Sequence, residues 1–290
     1  MVQSLTPFRH AGRGEDSPLD GVNDLVPVRA EAERLGFGAR FAHDAIDLVG
    51  DLFAGRVWSY QPIDVRYHDL AHTAQASRCY LAHVEGYLRS ERLEVVPRQL
   101  ELGLAAILFH DTGFLKMRGD DAGTGAKYTH SHVLRSSALA ASLLPTLGLA
   151  RPEVEDTVGM IRCTGLGGRP DKSTFGSELS RLAAGMVATS DFLGQMAAPD
   201  YLEKLPLLYL EFEEADDFSH VPKNDRMFAS TQALVAGTAG FWNHFVRPKL
   251  ETEFFGVYRH LASDTPPHRN PYLDAVERNV ARTAAALARG

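Results

Sequence analysis

The residues of this chain whose types and spacing could do chemistry are histidines and aspartates. Tyr67-His68-Asp69-Leu70-Ala71-His72 sets two imidazoles four residues apart, which on a helix places them on one face. Paired imidazoles at that spacing can share an ion, or one can bind it while the other moves a proton. His110-Asp111 follows directly on the apolar stretch QLELGLAAILF. A His and an Asp emerging from a buried helix are costly unless they are paired or bound to a metal. His130-Ser131-His132 comes just after a Gly-rich segment, and Asp191 follows the small, apolar run LAAGMVATS. The order of the groups carries more weight than any one of them. A His is followed by a His-Asp doublet about 40 residues on, another His about 20 further, and an Asp about 60 beyond that. His43-Asp44 reads as a solvated helix face, because its neighbours show an ordinary amphipathic stripe. His83, His220, His244, His260 and His268 are read as equally ordinary.

Helices must position these groups. Apolar residues at Phe41, Ala45, Ile46, Val49 and Phe53 form a 3.6-residue stripe. A helix from about Asp69 carries Leu70, Ala74, Leu81 and Val84, and 99–109 should be buried in the middle of the fold. Further helices are expected over 132–147, with Gly148 as the stop, and over 152–164, 177–196, 229–250 and 271–288, with another opened by Pro199. Residues 118–127 and 165–176 read as loops. No stretch combines β-branched enrichment with period-two alternation, so the chain should be all-α. Residues 1–25, rich in Gly, Pro, Ser and charge, read as a flexible arm before a single domain over 26–290.

Composition narrows the partners. The 290 residues carry 30 Lys+Arg against 37 Asp+Glu, a net charge of −7. That balance argues against general nucleic-acid binding, which depends on phosphate neutralisation. No apolar run approaches the roughly 20 residues of a membrane span, and no secretory leader is evident. Two cysteines cannot make a disulfide framework. A soluble, cytoplasmic protein is the expectation.

The H…HD…D arrangement resembles the signature of HD-domain metal-dependent phosphohydrolases, over roughly residues 28–215. The resemblance implies an HD-like helical bundle with additional C-terminal helices, in which His72, His110, Asp111 and Asp191 hold a divalent metal. Many members add a histidine at the start of a later helix, with a small residue four positions on. His132 with Ser136 fits that spacing, and His130 fits it less well. The segment YHDLAHT is similar to the YHNxxHA segment of cyclic-nucleotide phosphodiesterases, which implies His68 as general acid and His72 as ligand. The chain departs from those enzymes at two positions. Phe114 stands where they continue with a histidine after the doublet, and Asp69 replaces their Asn. The reaction class therefore carries over further than a cyclic-nucleotide substrate.

His and carboxylate ligands suit Zn²⁺, Fe²⁺, Mn²⁺ or Mg²⁺. One such ion with open positions would supply hydroxide at neutral pH, and a second, bridged by Asp111, would clamp the attacking and leaving oxygens. An imidazole at His68 suits proton donation to a leaving alkoxide. Lys116, Arg118, Lys127 and Arg135 could hold a phosphate or be surface charges. Gln195, one turn after Asp191, could bind substrate or satisfy a buried neighbour. The aromatic stretch YLEKLPLLYLEF over 201–212 could line a pocket, pack in the core or form a homodimer face. The expected function is a phosphodiesterase acting on a small nucleotide-like phosphoester. The alternatives are an HD-type di-iron oxygenase, drawing on His72, His110, His132 and His130, and a non-catalytic nucleotide sensor.

Overall fold

A computed structural model describes residues 24–57 and 59–288. The described chain is all-α, with no strand among the described residues and one isolated bridge between Tyr60 and Met117. The arm expected over 1–25 lies outside the described residues except at its end, where Leu25 already begins the first helix. The helices, in order, are α1 (Leu25–Leu35), α2 (Ala39–Phe53), α3 (Leu70–Ser90), α4 (Arg98–Phe109), α5 (His132–Leu143), α6 (Arg151–Ile161), α7 (Glu178–Met196), α8 (Tyr201–Phe218), α9 (Thr231–Phe241), α10 (Arg247–Glu251) and α11 (Pro271–Leu287).

Local sequence explains where the site-bearing helices start and stop. Asp69 caps α3, its Oδ1 accepting the His72 N–H at 2.8 Å, so the first turn that carries His72 is fixed by its own cap. Ser177 caps α7 in the same way through the Ser180 N–H. Helix α5 tightens into a short 3₁₀ turn at Leu144–Leu147 and stops at Gly148, whose φ of +84° a side chain would resist.

Helix α4 is apolar on every side and lies wholly in the core from Leu102 to Phe109. Helix α7 packs on both α3 and α4, and α6 and α5 flank that pair. One hydrophobic cluster runs from Leu25 to Val276, with a small satellite of Val65, Phe114 and Ala126. No helix among the described residues is long and apolar enough to cross a membrane.

The turn after α4 is unusually tight against α5. A Cβ on Gly113 would fall 2.0 Å from the His132 carbonyl oxygen and 2.8 Å from the Ser136 nitrogen. The Gly113 N–H donates to Ser136 Oγ at 2.8 Å. Glycine at 113 and a small residue at 136 thus let the His-Asp doublet sit directly against the start of α5.

Candidate metal centre

Three helices deliver four side chains to one point. His72 comes from the first turn of α3, His110 and Asp111 from the end of α4, and Asp191 from α7; all four are buried. His72 Nε2 lies 3.2 Å from Asp111 Oδ2 and 3.7 Å from Asp191 Oδ1. His110 Nε2 lies 3.1 Å and 3.5 Å from the same two oxygens, and 3.3 Å from His72 Nε2. The ligand atoms of His72, His110 and Asp111 fall within 4.8 Å of one another. His132, at the start of α5, brings Nε2 to 3.8 Å from Asp111 Oδ1 at the more open edge.

The donor set fits a cation. Asp111 Oδ2 is buried with no hydrogen-bond donor, because the two facing imidazole nitrogens are near it but not aligned as donors. A buried carboxylate oxygen left so would be costly, and a metal ion removes that cost. His110 Nδ1 donates to the Ile107 carbonyl at 2.7 Å and His132 Nδ1 to the Thr129 carbonyl at 2.6 Å, so each can leave a lone pair on Nε2 facing the centre. Burial would lower the His110 pKa, yet Asp111 and Asp191 raise it well above its usual value. Burial would likewise raise both carboxylic acids, but chiefly His110 holds Asp111 well below and Asp191 below the ordinary carboxylate range. The field that binds a proton this firmly favours a cation in its place. His132 is shifted the other way, downward by burial, which keeps it neutral.

Beside this cluster stands a second arrangement. His68 Nδ1 lies 2.6 Å from Oε2 of Glu211, a buried residue of α8. The other Glu211 oxygen accepts the Arg66 and Tyr67 N–H groups at 2.9 and 2.6 Å. Burial opposes charge on His68, but Glu211 first, then Asp111 and Asp191, raise its pKa above the usual histidine value. Phe114 is fully buried and stacks its ring on His68 at 4.5 Å and on His132 at 4.7 Å. It fixes the plane of both imidazoles with an apolar surface.

The remaining candidates lie elsewhere or are already engaged. His130 pairs with Asp216 of α8 at 2.9 Å and makes no contact with the four central residues. Lys116 is buried, bonded to Asp64 at 2.8 Å and to the Gly123 carbonyl at 2.7 Å. Lys127 is held by Asp120 and the Ala122 carbonyl. Arg135 donates to the Gly113 and Leu115 carbonyls, both at 2.7 Å, and stacks on Tyr128. Arg118 reaches the Gly55 carbonyl at 3.1 Å. Gln195 bonds within the protein, to Tyr67 and Asp191. His43 pairs with Glu33 at 2.7 Å.

Glu211 is the residue that sequence reasoning missed. It lies within the stretch read as aromatic lining or core, and its signal was an acid in the buried stripe of Tyr201, Leu205 and Ala215.

No family model, curated protein or solved structure matches the chain.

Proposed function

We propose that the protein is a metal-dependent phosphohydrolase, acting on a small phosphoester of the phosphodiester class. The single observation that supports this best is the pairing of two different devices. A buried His72–His110–Asp111–Asp191 cluster suited to a divalent ion lies beside a buried His68–Glu211 pair suited to proton transfer. His72, His110, Asp111 and Asp191 would hold the ion, with His132 at its rim. When bound, a divalent metal supplies a water of lowered pKa and a Lewis acid for a phosphoryl oxygen.

The protein's own groups do the rest. Glu211 takes the Nδ1 proton of His68 as a hydrogen bond, which leaves Nε2 as the edge that can deliver a proton to a leaving oxygen. The raised pKa keeps His68 protonated closer to neutrality. The Phe114 ring excludes water from one face of that imidazole. A proton donor adds nothing to a purely storage or sensing site, and this favours hydrolysis over a nucleotide sensor. One ion is the proposed stoichiometry, held by the four central residues, with His132 Nε2 3.8 Å from the other Asp111 oxygen.

The test combines metal analysis with turnover. Purified protein loaded in turn with Mn²⁺, Mg²⁺, Fe²⁺ and Zn²⁺ should bind about one ion and hydrolyse members of a panel of para-nitrophenyl esters, cyclic nucleotides, dinucleotides and dNTPs. Asp111→Ala should lose metal and turnover together, since a ligand carboxylate is both a bond and the balancing charge. Retention of stoichiometric metal and turnover in that variant would sink the assignment. Two irons and no hydrolysis would replace it with oxygenase chemistry.

A further inference from the structure

Asp191 is joined to a polar chain that the proposed hydrolysis does not use. Tyr67 is buried, and its hydroxyl donates to Gln195 Oε1 at 2.5 Å. With Oε1 fixed as the acceptor, the amide can turn only its Nε2 toward α7. Nε2 donates to the Asp191 carbonyl at 2.9 Å and reaches Asp191 Oδ1 at 3.5 Å. The opposite carboxylate oxygen, Oδ2, accepts the Gly165 N–H at 3.0 Å. Neutral donors thus address both oxygens of Asp191, and Oδ1 is aimed at His72 and His110.

A substrate role for Gln195 does not fit this side of the cluster. The cavity lined by Tyr67, His72, Gln75, Gln195, Tyr201 and Lys204 measures about 10 Å³. Small-molecule sites run to about 300 Å³ or more. Both polar atoms of the amide are already committed to protein partners.

We infer that Tyr67 and Gln195 are positioning residues, a two-member relay that sets the orientation of the Asp191 carboxylate and thereby the metal affinity of the centre. The inference rests on the metal reading given above and adds a role to it. Tyr67 has a second attachment. Its own N–H is held by Glu211, and its ring lies 5.8 Å from that of His72 and 4.9 Å from that of His68. The relay therefore ties the proton-donor segment to a ligand on another helix. Displacement of the 66–68 segment reaches Asp191 through one hydroxyl and one amide.

Co²⁺ binding by the full chain tests this, since its visible spectrum reports ligand geometry independently of turnover. Tyr67→Phe removes only the hydroxyl, and Gln195→Leu removes both ends of the amide. Each should weaken Co²⁺ binding by about 10- to 100-fold and change the visible band, as loss of a partner behind a ligand typically does. The metal-free melting temperatures should stay near that of the wild type. The double variant should bind no more weakly than Gln195→Leu alone, because both changes cut the same chain. Unchanged Co²⁺ affinity in Tyr67→Phe, or losses that add in the double variant, would overturn the relay while leaving the metal centre in place. Failure of the wild-type chain to bind Co²⁺ or any other divalent ion would overturn both.

Discussion

Replacing Glu211 by Gln is the most informative single change at the proposed proton-donor pair, because it keeps shape and removes charge. In the native protein one carboxylate oxygen accepts two backbone N–H groups, from Arg66 and Tyr67, and the other faces His68 Nδ1 at 2.6 Å. The Gln oxygen can still serve the two backbone donors. Its NH₂ then faces Nδ1 and must donate, so Nδ1 has to give up its proton. His68 becomes a neutral imidazole carrying its proton on Nε2, a weaker acid than the imidazolium. Its pKa should fall, since Glu211 is the largest influence raising it against burial. A hydrogen bond to a charged group contributes about 1.5–3 kcal/mol. Expressed on the barrier to proton donation, that is a rate loss of about 10- to 150-fold. The assay is turnover of the metal-loaded protein against pH for two substrates, one with an alkyl leaving group and one with para-nitrophenolate. The alkyl ester should slow by the full amount, with its alkaline limb moved to lower pH, while the nitrophenyl ester slows little because nitrophenolate leaves unaided. Equal slowing of both, or an unmoved pH profile with normal metal content, would refute the reasoning and leave Glu211 as a backbone clamp only.

Gly113→Ala should destabilise by about 1–3 kcal/mol in urea unfolding. The new methyl would lie 2.0 Å from the His132 carbonyl, which is backbone and cannot turn aside; an unchanged midpoint would mean that this contact is not close. A pH-linked loss of stability is expected from His83 of α3, which is fully buried with Nδ1 beside the Cys79 carbonyl at 3.0 Å and Ser190 Oγ at 3.1 Å, and with Nε2 unpartnered. Burial pushes its pKa from 6.5 down to about 3. Between those values the unfolded chain holds a proton that the native one does not, so stability falls as pH drops below 6.5, at about 1.4 kcal/mol per pH unit. His83→Asn should flatten the stability profile between about pH 5 and 6.5 by roughly 2 kcal/mol. An equally steep profile in that variant would assign the slope to other groups.

The helical skeleton was legible because burial and capping both leave local marks. Helix α4 announced itself by being apolar on every face, and it runs from Arg98 to Phe109. Helix α3 begins one residue after Asp69, the acid that caps it. One feature of the backbone left no periodic mark. The span read as a single helix over 229–250 is α9, a wide turn at Trp242–Val246 and then α10. Pro248 has no N–H for the carbonyl of residue 244, and its ring presses on that carbonyl. The helix accommodates this by widening the turn before it. An apolar stripe passes through such a turn almost unchanged, so periodicity does not detect it.

The His/Asp cluster and its surroundings differ in legibility for a reason rooted in chemistry. Few side chains can ligate a divalent ion, so His72, His110, Asp111 and Asp191 stand out by type and setting before any contact is known. A group that orients one of these need only donate or accept a hydrogen bond, which most polar residues and every peptide unit can do. Glu211 reaches His68 across 143 positions of sequence, and the Gly165 N–H that holds Asp191 has no side chain at all. The cations show the same principle from the other side. Arg135 has the charge and position to suggest a phosphate contact, yet the irregular turn after His110 leaves the Gly113 and Leu115 carbonyls without helical partners. Buried carbonyls must be satisfied, and the nearest guanidinium satisfies them. Close to a site built on interrupted helices, the backbone competes with any substrate for charged side chains. That competition is settled by tertiary distances of about 3 Å, which no spacing along a chain encodes.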